Sequence, residues 1–245
     1  MAGASVIVTG ASGGIGAAIA RALAVAGAGV IVHYRSNAAG ADRLAAEIGA
    51  TTVAGDISDP ATAAALVAAA LERHGRLDVL VNNAGRQPVV PLLEMTEVAW
   101  RDVLETNLTG TFLCTAAAAR QMVAQGTGGS IIHVASIEGS QPAPGHAHYA
   151  TSKAAMLMHA RAAALELGPY GIRVNAVSPG LVERDGLERE WPEGVARWHA
   201  AAPLGRLVTP QDVANACLFL ASPLAAAVSG HDLVVDAGVA AHPTW

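Results

Sequence analysis

The chain has 245 residues, 52% of them hydrophobic and 14% charged, with a formal net charge of -5. It is too apolar to be disordered and long enough to bury a large core, and its acidic balance excludes a basic face for nucleic acid. Two cysteines lie in apolar runs without metal or redox spacing, and neither a leader pattern nor an uninterrupted apolar run of about twenty residues stands out. A soluble cytoplasmic protein with no membrane span and no metal site is expected.

Composition does not shift along the chain, so a single domain over residues 1–245 is expected. Short β-branched runs predict strands over 5–9, 30–33, 51–54, 77–81, 130–135, 172–177 and 232–235. Between them, Ala-rich stretches at helical spacing predict helices over 15–26, 38–48, 60–74, 97–124, 149–167 and 210–221. This alternation is that of βαβ units, and it predicts a parallel sheet covered on both faces. Pro60 behind Asp59 and Pro210 behind Thr209 read as first-turn prolines, and Gly75 as a helix stop. Residues 181–207 break the rhythm with Trp191, Trp198 and mixed charge, which predicts a substrate lid.

The first strand runs into Thr9-Gly10-Ala11-Ser12-Gly13-Gly14-Ile15-Gly16 and then a helix. Glycines let backbone approach a pyrophosphate closely, and a helix start offers free N–H groups. An ordinary βα loop is the bland alternative. Gly10 to Gly14 also fits the G-x-S-x-G elbow of a hydrolase, but an elbow on the first strand has no preceding strand to supply an oxyanion loop, and Gly16 continues the nucleotide pattern. At the end of the second strand, His33-Tyr34-Arg35-Ser36 holds no carboxylate for a ribose hydroxyl; Arg35 and Ser36 would suit a 2′-phosphate. NADP(H) is therefore expected over NAD(H), unless Arg35 is only a solvated loop residue.

Tyr149 and Lys153 stand four residues apart on a predicted helix, thirteen residues after Ser136 at a strand end. A phenol titrates near 10, and a neighbouring ammonium is expected to lower that value towards acid/base use. Tyr149 would then protonate a carbonyl oxygen while Ser136 donates a hydrogen bond to it. Each residue alone is common; the combination is rare.

Taken with Asn82-Asn83-Ala84-Gly85, Asn107, Tyr149-Ala150-Thr151-Ser152-Lys153 and Pro179-Gly180, the chain resembles the classical short-chain dehydrogenase/reductase family over nearly its whole length. It is similar to 3-oxoacyl carrier-protein reductases and bacterial polyketide ketoreductases. The resemblance implies a single-domain, three-layer doubly wound α/β Rossmann fold with strand order 3-2-1-4-5-6-7. It implies ketone reduction or its reverse on a 3-oxoacyl thioester or polycyclic ketone, and a homotetramer or homodimer paired through the long helices 97–124 and 149–167. The implied catalytic set is Asn107, Ser136, Tyr149 and Lys153, with Asn107 holding a water in a proton relay. The implied cofactor contacts are Gly10, Ser12, Gly14, Ile15 and Gly16 at the turn, Tyr34, Arg35 and Ser36 after the second strand, and Asp56 and Ile57 at the adenine. Asn83, Ala84, Gly85, Tyr149, Lys153, Pro179 and Gly180 complete them.

Asn107 also reads, from its own neighbourhood of Thr106, Thr109 and Gly110, as a place where a helix ladder opens. Arg184 replaces a family Thr and leaves the carboxamide contact open; it either reaches a phosphate or substrate acid or pairs on the surface with Asp185 or Glu188, the favoured fate. Trp191, Trp198 and His199 either close over a substrate or pack the lid. His146 and His148, without a third ligand, read as pocket rim or solvated loop. A cofactor-binding regulator or scaffold without turnover is the alternative to an enzyme.

Overall fold

The computed structural model describes residues 1–241. Seven strands alternate with helices: β1 (Ser5–Val8), α1 (Gly14–Val25), β2 (Gly29–Tyr34), α2 (Ala38–Ile48), β3 (Thr51–Ala54), α3 (Pro60–His74) and β4 (Val79–Asn82). There follow α4 (Glu97–Leu104), a π-helical turn (Glu105–Thr109), α5 (Gly110–Gln125), β5 (Gly129–Val134), α6 (Ala147–Leu167) and β6 (Ile172–Pro179). The chain continues through α7 (Leu187–Glu190), α8 (Pro192–Ala201), α9 (Pro210–Ala221) and β7 (Asp232–Val235). All neighbours pair in parallel, in the order β3-β2-β1-β4-β5-β6-β7.

Successive strand residues face opposite sides of a sheet, so each strand serves two cores. Val6, Val8, Val30 and Val32 pack with Ile19, Leu23, Leu44 and Leu220 of α1, α2 and α9. Ile7, Ile31, Leu80 and Ile131 pack with Leu66, Met122 and Ala160 of α3, α5 and α6. Burial on both faces explains why the strands read as continuous apolar runs. Asp59 accepts from the Ala61 N–H ahead of α3, and Thr209 and Asp212 form a reciprocal capping box on α9.

Most element ends fall within two residues of the sequence reading, and four differences have a physical cause or bear on the site. The predicted helix over 97–124 is split by the π turn at Glu105–Thr109, around the Asn107 where an opening was expected. The fourth strand begins at Val79 and not at Leu77, because the Gln125 side chain takes both backbone groups of Leu77, at 2.7 and 2.9 Å, out of the sheet ladder. The Tyr149 helix starts two residues early, at Ala147, since Ala150 N–H already donates to His146 O at 2.8 Å. Within 181–207 lie α7 and α8, closed at the base by a parallel bridge between Val182 and Val208. Among the described residues no helix is long and apolar enough to cross a membrane.

Candidate active site

Because all strands run the same way, the residues that follow them gather at one edge of the sheet. Gly10 after β1 has a φ of +63°, and a Cβ there would stand 2.8 Å from Ala84 Cα after β4. A Cβ on Gly16 would overlap the Gly10 carbonyl and the Asn83 amide. Only glycine lets this turn fold onto the β4 end. Asn83 fastens it, donating to the carbonyls of Thr9 (2.9 Å) and Gly10 (3.0 Å). The first turn of α1 has no side-chain cap at Gly13, and positions 13 and 14 face open space. Its first N–H groups are left for an outside acceptor.

A cleft runs from this turn between β1, β2 and β4, lined by Gly10, Ser12, Arg35, Ser36, Asp56, Ile57, Asn83, Ala84 and Gly85 among others. Of the predicted contacts, Gly14, Ile15, Gly16, Tyr34, Tyr149, Lys153, Pro179 and Gly180 do not line this cleft; the Ile15 and Tyr34 side chains are partly buried against the core beneath, because their pleat and helix positions face the sheet. Arg35 stands 3.5 Å from Asp56, whose carboxyl is held below its usual range by Ser58 hydrogen bonds and then by Arg35. His33, which the sequence reading passed over, lies under the turn. Its Nδ1 accepts from Gly10 N–H at 3.1 Å, so Nε2 carries the proton and donates to Gly55 O at 3.1 Å. Burial keeps this ring neutral by lowering its pKa.

Beyond the cleft, Ser136 follows β5, and Tyr149 and Lys153 project from α6. Their exposures are 8%, 9% and 4%. The Ser136 hydroxyl accepts from Glu138 N–H at 3.1 Å and acts to lower the Tyr149 pKa. Lys153 Nζ donates to Val134 O at 2.7 Å and stands 5.5 Å from the Tyr149 ring centre. The expected lowering of the phenol pKa by this lysine is not found. Burial pushes Tyr149 up to about 12, the Ser136 hydroxyl opposes that, and the Glu138 charge adds to it. Burial also pulls Lys153 down to about 8. Desolvation, which depends on what covers a group, outweighs the pairwise attraction that spacing alone suggested.

Asn107 is fully buried in the π turn. Its Oδ1 accepts from Arg86 N–H at 2.8 Å, and its Nδ2 donates to Arg86 O and to Ser152 Oγ, each at 3.0 Å. A Cβ on Gly85 would stand 3.3 Å from Asn107 Oδ1 and 3.8 Å from Lys153 Nζ, so these three positions converge.

In the lid, the Trp198 ring packs on Gly180 at the end of β6 and its Nε1 donates to Arg206 O at 3.3 Å, while Trp191 is 47% exposed. His199 Nδ1 lies 3.0 Å from Gly205 O. Arg184 lies on the surface, as favoured, but its partner is Glu190, 2.6 Å away. The reading of His146 and His148 as rim or solvated loop is corrected for His148, while His146 keeps part of its surface exposed. His148 is wholly buried, because its Nδ1 accepts the Tyr149 N–H at 2.9 Å and turns the ring inward. His146 pairs with Glu138 at 2.9 Å, and Glu138 also accepts from Gln87 at 2.9 Å. No sequence signal marked this group, since its members lie up to 59 residues apart (146 minus 87).

An open parallel sheet with a glycine turn on its first strand and a Ser–Tyr–Lys group at the same edge is the build of a nicotinamide-dependent oxidoreductase that interconverts CH–OH and C=O. Residues 10–240 match the family described as Enoyl-(Acyl carrier protein) reductase. An L-rhamnose 1-dehydrogenase (NAD(P)(+)) of Azotobacter vinelandii is 43% identical over 96% of this chain and 96% of its own. A 3-oxoacyl-[acyl-carrier-protein] reductase of Synechocystis is 38% identical over 95% of each. The crystal structure of acetoin dehydrogenase from Enterobacter cloacae superimposes with a TM-score of 0.89 at 33% identity, covering 99% of this chain and 98% of that one. The chain belongs to the classical short-chain dehydrogenase/reductase family.

Proposed function

We propose that this protein interconverts a small secondary alcohol and its ketone with NADP(H), through Ser136, Tyr149 and Lys153. The observation that carries the reading is the convergence of these three nearly buried side chains at the strand edge that also bears the glycine turn. When bound, the nicotinamide cofactor supplies or accepts the hydride. The glycine turn and its cleft fit such a dinucleotide: the uncapped first turn of α1 would hold the pyrophosphate, Arg35 and Ser36 a 2′-phosphate, and Asp56 and Ile57 the adenine. Gly85, Pro179 and Gly180 would flank the nicotinamide end.

In reduction, Tyr149 donates its phenolic proton to the carbonyl oxygen, and Ser136 hydrogen-bonds that oxygen as charge develops on it. Lys153, held by Val134 O, supplies the positive field beside the phenol. Asn107 braces the loop at Arg86 and the helix at Ser152, on the side from which the proton is replaced. The exposed Phe112 of α5 and Met158 and Leu165 of α6 support pairing of copies into a dimer or tetramer along these helices. The two buried free thiols, Cys114 and Cys217, suit a reducing cytoplasm.

The test is NADP+ reduction with a panel of sugars, polyols, cyclic alcohols and 3-hydroxyacyl thioesters, and NADPH oxidation with the matching ketones. Tyr149→Phe should lower kcat by about 10²–10⁴ while NADPH still binds. Normal turnover by that variant would remove Tyr149 as the acid.

A further inference from the structure

At the mouth of the same site stands a charged group that proton transfer does not use. Glu138 comes two residues after Ser136, on the 3-10 turn Ile137–Gly139. Its carboxylate accepts from His146 Nδ1, at 2.9 Å to one oxygen and 3.1 Å to the other, and from Gln87 Nε2 at 2.9 Å. Glu138 and His146 each keep 14% of their side-chain surface exposed. The His146 ring meets the Tyr149 ring edge to face, with centroids 6.0 Å apart. The pair thus stands beside the phenol, from both its own ring and the Ser136 turn.

A carboxylate buried this far is expensive unless donors surround it. Two protein donors are present, yet an ionised carboxylate offers about four lone-pair sites, so acceptor capacity remains. His146 Nε2 is buried and has no hydrogen-bond partner among the described residues. With Nδ1 turned to Glu138, this nitrogen of a neutral ring is an acceptor as well. The buried His146 Nε2 is closed to solvent, so the unfilled acceptor capacity that remains next to the acid/base residue is that of the part-exposed Glu138 carboxylate. It would repel a carboxylate or phosphate close to the reacting carbon, and it would reward hydroxyl donors.

We propose that Glu138, oriented by His146 and Gln87, is the substrate-selecting residue of this site, and that it takes vicinal diols and sugars by accepting a hydrogen bond from the hydroxyl next to the reacting carbinol. This rests on the proton-transfer reading of Ser136, Tyr149 and Lys153. Glu138 is the specificity-determining contact; His146 and Gln87 are positioning residues.

The experiment compares kcat/KM of the NADP+-loaded enzyme for cis-cyclohexane-1,2-diol with cyclohexanol, and for 2,3-butanediol with 2-butanol, adding 1-amino-2-propanol as a cationic rival. The diol should be favoured by at least about tenfold, and Glu138→Gln and Glu138→Ala should shrink the diol-to-mono-ol ratio by about 10–100-fold, chiefly through KM. Glu138→Gln is nearly isosteric and its amide oxygen still accepts from His146; NADPH binding followed by fluorescence verifies that it is folded. A wild-type ratio near one, an equal loss on both alcohols in the Glu138 variants, or a preference for the amino alcohol each overturns the proposal while leaving proton transfer intact. Turnover of 3-hydroxyacyl thioesters but of no diol or sugar overturns the proposal alone, and turnover of no member of the wider panel overturns both.

Discussion

Lys153 Nζ donates to the carbonyl of Val134 at 2.7 Å and stands 5.5 Å from the centre of the Tyr149 ring. The lysine is thereby tied to the end of β5, the strand that leads into Ser136, and not to the phenol. Burial acts against charge on both groups, lifting the phenol to about 12 and lowering the ammonium to about 8. Below about pH 12 Tyr149 holds its proton, so the site as it stands is set to donate, the state that carbonyl reduction requires.

The Glu138 charge is one of the causes that raise the Tyr149 pKa. A negative neighbour disfavours phenolate, so removing it favours phenolate. In the oxidation direction, where phenolate is the base, Glu138→Gln should move the alkaline rise of kcat to lower pH. Profiles of kcat against pH for wild type and variant check this, and a shift to higher pH contradicts it.

Lys153 makes stability depend on pH with a definite sign. Its folded pKa of about 8 lies below the 10.5 of an exposed lysine, so between those values the unfolded chain binds more protons. Stability then rises with pH across that window. Relative to Lys153→Met, the wild type should gain up to about 3 kcal/mol between pH 8 and 10.5. Urea midpoints at both ends, taken as the difference between the two proteins, cancel the common titration of tyrosines and thiols.

Gly16 has no room for a side chain, since a Cβ would overlap the Gly10 carbonyl and the Asn83 amide that fastens it. Gly16→Ala should cost about 1–3 kcal/mol of stability, as overpacking does, and should weaken NADPH binding by spreading the turn. Denaturant melts and fluorescence titration measure the two effects.

Arg35 lines the cleft beside Ser36 and is only loosely engaged with Asp56 at 3.5 Å. Arg35→Ala should weaken NADP+ about 10–100-fold, the worth of a charge-assisted contact, with little change for NAD+. Equal losses for both cofactors would show that Arg35 does not read the 2′-phosphate.

Much of this site is legible in the sequence because its chemistry is local. The run from Thr9 to Gly16 spells a turn that only glycines can make, and four-residue spacing puts Tyr149 and Lys153 on one face of α6. The alternation of β-branched and Ala-rich stretches determined a parallel sheet, and the Thr–Asn–Thr–Gly neighbourhood pointed to a break in the long helix, which became the π turn at Asn107. These follow from backbone preference and periodicity, which neighbouring residues set among themselves.

Tertiary structure decided the rest. The His33 bridge between Gly10 and Gly55, the hold of Gln125 on Leu77 and the Glu138 group with Gln87 and His146 each join residues from separate elements. Which way Tyr149 and Lys153 titrate is set by how much water the packed chain removes. Desolvation and long-range hydrogen bonding are properties of the assembled layers, and no window of neighbouring residues encodes them.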